Sequence, residues 1–445
     1  MRFTIQYFDR KATRIVRLIN LLRFPPLLGG LILSFGIDAY LTQPGRADLS
    51  AIALATAEGL QRTQPSPLPQ AETGGDQTNL FGISLLVKLM AAGSEENIVI
   101  SPFSLELALG MVYAGCSGTG ADELRRVVGF SPKTDSQEIL FPGMKLSSDL
   151  PPTVTLKIAN SLWCDRSAKL RPTFEAKVKD LFNPEIQSID LETATTMRAI
   201  NAWVAKATEN RITDLIQQPP KPPLVLIDAV YFKGAWEHPF SARQNFPSKF
   251  NRERGGPCQV TMMHQSLSAP YLETDDFQAV KLPYNGGRLE MLLLLPAKGT
   301  GLGAALQNLT KGSWKQTIDQ FSEASGTISL PRFKATFRDS LIRPLTESGI
   351  KAIFEPSKDF SPMFEDTRNF YVSNIIQQTY LRVDENGSEA AAATEVQIEA
   401  SAMRRNPTKP FNLVFDRPFL FAIIDDQSGQ LIFAGVLRDP DQAKL

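Results

Sequence analysis

The chain has 445 residues, 43% hydrophobic and 21% charged, and lysine plus arginine balances aspartate plus glutamate at 47 each. This is ordinary globular composition, with no net field to draw in nucleic acid or an anionic membrane. Three cysteines (Cys116, Cys164, Cys258) without a CxxC spacing and two histidines (His238, His264) argue against a disulfide framework and leave little material for a zinc site or a Ser/His triad. No metal or other cofactor is therefore expected.

Arg2, Arg10, Lys11, Arg14, Arg17 and Arg23 precede an uncharged run, FPPLLGGLILSFGI, that ends at Ile37. The run is short of the ~18 apolar residues a membrane span needs. A basic region before an apolar core is the pattern of an export signal, and AIALATAEG downstream offers Ala-x-Ala cleavage points near Ala55 or Ala57. A secreted or periplasmic protein is expected. A misplaced start or a leader without structure, in a cytoplasmic protein, is the alternative. QRTQPSPLPQAETGGDQ then reads as a linker. Residues 1–77 are thus leader and linker, and 78–445 one folded domain.

TNLFGISLLVKLMAAG has the helical spacing of Leu80, Ile83, Leu86, Val87 and Met90. NIVISPFSLELALGMVYAG follows: a β-rich run, a Ser-Pro break, and a helix with Ser101 as N-cap and Pro102 in its first turn. GCSGTGADELRRVVGF lacks the lysine of a phosphate loop and reads as a glycine turn into a helix capped by Thr119 or Asp122. TVTLKIANSLWCD is strand-like. LRPTFEAKVKDLF and TTMRAINAWVAKATENRITDLI are helical. PLVLIDAVYFKGAW is a long strand, apolar enough to be buried on both faces. Beyond Gly255 the strands QVTMMHQ, FQAVKLPY, LEMLLLLP, TISLPRF and FYVSNIIQQTYLRVDE surround one helix, LIRPLTESGIKAIF. FNLVFDRPFLFAIIDDQSGQLIFAGVL closes the chain as a hairpin turning at Gln427-Ser428-Gly429. One large α+β domain results, with more strand than a single sheet holds.

The stretch DENGSEAAAATEVQIEASAM, 384–403, carries two signals. Four alanines favour helix. Alternate residues from Ser388, namely Ala390, Ala392, Thr394, Val396, Ile398, Ala400 and Ala402, are small or apolar, which is the period of a half-buried strand. Asn386-Gly387 before it is a hairpin signal.

NIVISPFSLELALGMVYAG, INAWVAKATENRITDLI, VLIDAVYFKGAWEHPF, MMHQ, LPRFKATFRDSLIRPLTESGI, ENGSEAAAAT and RPFLFAI, in this order, resemble the serpin family over essentially everything after the linker. The resemblance implies a serpin fold, α+β, with three β-sheets, about nine helices and an exposed reactive-centre loop at about 386–410. It implies a protease inhibitor and not an enzyme. The target protease cuts the loop, the cut loop inserts as a new central strand, and the trapped acyl-enzyme is distorted. A non-inhibitory serpin acting as carrier or chaperone is the second reading. The hinge (Glu385, Gly387, Ser388, Ala390, Ala391, Ala392, Ala393, Thr394) has no proline, charge or bulk at its inward positions, which favours inhibition.

The resemblance also carries particular residues. Counting from Glu385 puts the scissile bond at Ser401-Ala402, which suits an elastase-like or subtilisin-like serine protease. A slip in the count would place Met403, Arg404 or Arg405 before the cut, and arginine would select a trypsin-like enzyme. Ser101 and Ser104 fall at the shutter under the sheet. There Asp228 and Gln377 stand where most relatives have asparagine and histidine. Either the two pair, with Ser101 donating as well, or Asp228 is partly wet and unrelated to Gln377. Trp236 and Arg332 fall at the breach, Arg332 pairing with Glu385. A monomer with no nucleic-acid partner and no membrane span is expected. Asn386 and Asn308 head glycosylation sequons, and a sugar on Asn386 would obstruct the hinge, so it is expected unmodified.

Overall fold

The helical spacing from Leu80 onward extends upstream: in the computed structural model the first helix, α1, runs Gly74–Ala91. It begins before the expected Thr78 because Asp76 is fixed by a distant element, its carboxylate accepting the Lys315 N–H at 2.8 Å. The structure describes residues 74–92, 97–131, 146, 149–312, 314–388 and 410–440, with side chains from 76. All lie in the compact unit Pro69–Leu445.

The elements follow as β1 Ile98–Ile100, α2 Pro102–Ala114, α3 Gly118–Val128, β2 Val154–Asp165, α4 Pro172–Phe182, β3 Glu185–Ile189, α5 Ala194–Ala207 and β4 Leu224–Ala235. Then come β5 Phe246–Asn251, β6 Pro257–Glu273, β7 Phe277–Pro283, β8 Leu289–Pro296, α6 Leu302–Leu309, α7 Trp314–Ile318, β9 Ser322–Pro331, β10 Phe333–Ser340 and α8 Ile342–Glu347. The last are β11 Asn374–Val383, β12 Gly387–Ser388, β13 Phe411–Val414, β14 Phe419–Asp425 and β15 Leu431–Leu437.

The strands form two hydrogen-bonded networks. A six-stranded sheet has the order β10-β11-β4-β2-β3, with β12 on β4. A nine-stranded network has the order β1-β15-β14-β8-β7-β6-β9-β13, with β5 on β6. The expected second and third sheets are continuous, because the 17-residue β6 serves both. Its beginning pairs with β5 and its end with β7. Among the described residues there are eight α-helices and two 3-10 turns.

α2 lies between the two networks and is buried along most of its length. Ser101 caps it as expected, accepting the Ser104 N–H at 3.2 Å. Two other ends differ from expectation. α3 is capped neither by Thr119 nor by Asp122; Asp359, remote in sequence, accepts the Gly120 N–H at 2.9 Å. α5 stops at Ala207, well before Ile216, because Glu209 and Asn210 take left-handed conformations (φ 54° and 60°). The returning segment is then tied down by Asn201, whose side chain exchanges hydrogen bonds of 2.8 and 2.9 Å with the backbone of Ile216. α5 contributes Ile200 and Val204 to an apolar cluster on one face of the six-stranded sheet, and α2 covers the other face.

Candidate functional site

β4 is buried on both faces, so a charged residue within it must be met by hydrogen bonds. The register puts Asp228 opposite Asn160 of β2 on one side and Gln377 of β11 on the other. The first turn of α2 brings Ser101 and Ser104 to the same level. Ser104 Oγ donates to Asp228 Oδ1 at 2.5 Å, and Gln377 Nε2 donates to Asp228 Oδ2 at 2.6 Å. The same amide binds both peptide groups of Ser101: Gln377 Nε2 donates to its carbonyl and Gln377 Oε1 accepts its N–H, each at 3.0 Å. Asn160 Nδ2 donates to the Ser104 carbonyl at 3.1 Å.

Asp228 and Gln377 are thus a pair, and neither is exposed. The serine that donates to the carboxylate is Ser104, not Ser101 as expected. The Ser101 hydroxyl is committed to the helix cap and to the Ile432 carbonyl at 2.7 Å. Burial pushes the Asp228 carboxyl up to about 7, with the hydrogen bonds from Ser104 and Gln377 pulling it back only in part.

The second cluster lies where β11 ends. Asp384 and Gly387 exchange backbone hydrogen bonds of 2.9 and 3.2 Å, so the turn centres on Glu385-Asn386 and not on Asn386-Gly387. The reason is steric. Gly387 (φ 140°) lies so close to β4 that a Cβ there would be 2.0 Å from the Gly234 carbonyl oxygen. Glycine is required for this approach, not for the turn. Gly387 and Ser388 pair with Ala235 and Gly234 as the short strand β12. Ser388 is fully buried, with its hydroxyl 2.7 Å from the Tyr284 hydroxyl.

The turn is held from three sides. The Trp236 indole N–H donates to the Asp384 carbonyl at 3.0 Å, and the Trp236 and Phe240 backbone N–H groups bind the Asn386 and Glu385 carbonyls at 2.9 Å. Arg332 Nε donates to Glu385 Oε1 at 2.6 Å, and Asn245 donates to the same oxygen. Burial alone would raise the Glu385 carboxyl. The hydrogen bonds from Arg332 and Asn245 and the arginine charge outweigh it and hold the group below its ordinary range. Trp236 stacks on Tyr284 with ring centroids 4.6 Å apart.

Between these clusters β4 and β11 pair directly, in parallel, over seven residues from Asn374↔Val225 to Tyr380↔Tyr231. The segment after Ser388 lies outside the described residues, and with it Ala390, Ala391, Ala392, Ala393, Thr394, Ser401, Ala402, Met403, Arg404 and Arg405. The chain is described again from Pro410, and β13 then pairs with β9 in the other network.

Sequence reasoning missed Asn160, Asn245, Phe240 and Tyr284. Asn160 had a signal: a polar residue at an inward position of a strand otherwise apolar on that face. Asn245 and Phe240 had none, since only the chain path brings them to Glu385. Among the described residues no group of three His, Cys, Asp or Glu side chains is placed to hold a metal ion, and no helix is long and apolar enough to cross a membrane.

Residues 76–440 match the family described as Serpin (serine protease inhibitor). The chain is 34% identical over 368 residues to an uncharacterised serpin-like protein of Thermococcus kodakarensis, covering 81% of this chain and 84% of that one. It is 30% identical to the leukocyte elastase inhibitor of Bos taurus, covering 81% and 97%. Among solved structures, the thermophilic serpin tengpin in its native state superposes with a TM-score of 0.73 at 25% identity, over 82% of this chain and 94% of that one.

Proposed function

The chain belongs to the serpin family, and we propose that it inhibits a serine protease as a suicide substrate, the cut loop inserting between β4 and β11. One observation carries this reading. β4 and β11 are joined edge to edge along seven residues, yet Gly387 and Ser388 already occupy the first two places of a strand beside β4. Continued in the same antiparallel register, Ala390 would meet Phe232, Ala392 would meet Val230, Thr394 would meet Asp228, and Val396 and Ile398 would meet Leu226 and Leu224. An alanine thus falls beside the largest side chain of β4 on that face, Phe232. The sheet must first be parted there, and extra bulk in a packed interior costs roughly 1–3 kcal/mol. Val396 and Ile398 follow, each contributing roughly 1.5–3 kcal/mol once buried.

The strand pairing that the sequence favours has its first two residues in place beside β4, and cleavage would let the following ones enter once β4 and β11 part. The protease supplies the chemistry and this chain supplies the free-energy difference between the two arrangements.

Ser401 before the cut fits a protease whose primary pocket takes little bulk. The relative named as an elastase inhibitor agrees with that choice. Incubation with elastase, subtilisin and trypsin should give an SDS-stable complex with one of the first two. Sequencing of the released C-terminal fragment should start at Ala402. Cleavage without any stable complex across the panel would sink the inhibitory reading, and a fragment starting after Arg404 or Arg405 would move the specificity to trypsin-like enzymes.

A further inference from the structure

Asp228 is a buried carboxylate at the seam that insertion has to part, and the groups around it are neutral. β2 presents Asn160, β11 presents Gln377 and Thr379, and α2 presents Ser101 and Ser104. β15, which packs against α2, and β1, which packs against β11, have no titratable residue. Lys157 of β2, Lys233 of β4 and Arg382 of β11 alternate onto the opposite face. Asp339 of β10, opposite Gln377 in register, is exposed and accepts the Ser340 N–H. On α2, Tyr113 binds the Ser131 carbonyl, and Glu106 binds Thr78 and Gln430. No described ion pair includes Asp228.

Ser104 can serve both protonation states. It donates to the carboxylate at 2.5 Å, and its hydroxyl also lies 3.5 Å from Asn160 Oδ1. Were Asp228 protonated, the acid would donate to Ser104 and Ser104 to Asn160, so that the neutral form also keeps its hydrogen bonds here. Gln377 is different. It lies across the seam, and its bond to Asp228 must break before any strand can enter.

We infer that Asp228 is a proton-operated latch on the β4–β11 seam: its carboxylate grips Gln377 and keeps the sheet closed, and protonation weakens that grip and speeds strand insertion. This rests on the insertion reading above. A charge-assisted hydrogen bond is roughly twice as strong as a neutral one. Parting the strands leaves the ionised form with Ser104 alone until Thr394 arrives to replace Gln377, whereas the neutral acid loses less. The parting state therefore holds its proton more tightly than the closed state, and opening is faster at lower pH. Burial brings the carboxyl of the closed form to about 7, so the rate should climb as pH falls toward neutrality and level off below it.

The test uses the full, uncut chain and a synthetic peptide of residues 388–400, whose glutamates stay ionised from pH 6 to 9. Uptake of the peptide is followed by native-gel mobility. It should be about tenfold faster at pH 6 than at pH 9. Asp228→Asn, which mimics the protonated acid, should be fast at both. Ser104→Ala, removing a donor to the carboxylate, should move the midpoint upward. Glu106 also titrates near this range, raised by burial to about 8, so Glu106→Gln is the control and should keep the parent profile. A flat profile in the parent chain, persistence of the dependence in Asp228→Asn, or its loss in Glu106→Gln each overturns the latch while leaving insertion standing. No uptake at any pH, together with no gain in heat resistance after loop cleavage, overturns insertion and the latch with it.

Discussion

Glu385 accepts hydrogen bonds from two residues remote from it and from each other in sequence, Arg332 and Asn245, and its side chain is 10% exposed while that of Arg332 is 36% exposed. As an isolated ion pair with one partner so open, Arg332–Glu385 would add only about 0–1 kcal/mol. Its position gives it more consequence, because it fastens the turn from which the proposed insertion would start. Glu385→Ala should raise spontaneous insertion and oligomer formation on mild heating, read on native gels; unchanged oligomer content would remove the residue from control of the hinge. Asp228 makes the opposite kind of contribution. Its carboxyl is raised to about 7 in the folded chain, above the value of an unfolded aspartate, so folding favours the proton. Stability toward unfolding is then greatest in acid and declines as pH rises through the interval between the two values. Asp228→Asn removes that cost. The uncut chain should resist urea at pH 8 by about 2–4 kcal/mol more than the parent, with the advantage gone near pH 4. The same substitution that steadies the fold should thus loosen the seam.

At the level of elements, β4 is held on one side by eleven antiparallel pairs to β2 and on the other by seven parallel pairs to β11. Parallel pairing is slightly the weaker per residue. The shorter, weaker ladder is the one the inserting strand would replace. α5 lies over this sheet, and its Ile200 and Val204 share a cluster with Val225, Ile227 and Ala229 of β4, packed also against Ile376 and Tyr380 of β11. Entry of a strand has to displace that packing. The register argument makes a sharp expectation for the loop. Ala390→Phe would set two phenylalanines side by side at the first inward position beyond β12. The loop should then be cleaved by the target protease without forming an SDS-stable complex, the stoichiometry shifting from inhibitor to substrate. Retained complex formation would show that the strand enters in another register.

For the whole molecule, the two ends of the undescribed loop belong to different networks: β12 lies on β4 and β13 on β9. On the insertion reading, a cut between Gly387 and Pro410 would separate these two attachments and free the segment after Ser388 to pair along β4. The nicked protein should melt at a much higher temperature than the uncut one in differential scanning calorimetry, because a new strand pairs on both sides and buries Val396 and Ile398. Equal melting temperatures would mean that the uncut chain stores no free energy to release. The comparison also separates the two functional readings, since a carrier need not gain heat resistance on being cut.

Local pattern was enough for most elements, though not for β3, β5, α6 and α7, and a series of resembling motifs carried the family. Apolar periodicity located β2, β4, α1 and α2, and the Ser-Pro break marked the Ser101 cap. These are properties of neighbouring residues, and neighbours are what a sequence displays. The helix ends at α3 and α5, the turn at Glu385-Asn386 and the true role of Gly387 were decided elsewhere. Asp359 and the Gly234 carbonyl act from far along the chain, and the turn after α5 is closed by contacts of Asn201 with Ile216 that spacing does not display. Asp228 shows the division best. Its place in a buried strand was legible, but whether a buried charge there is an error or a device depends on what faces it. Only the packing of α2 and β11 against β4 brings Ser104 and Gln377 to its two oxygens, because hydrogen bonds across a core are set by register and helix docking, not by spacing along the chain.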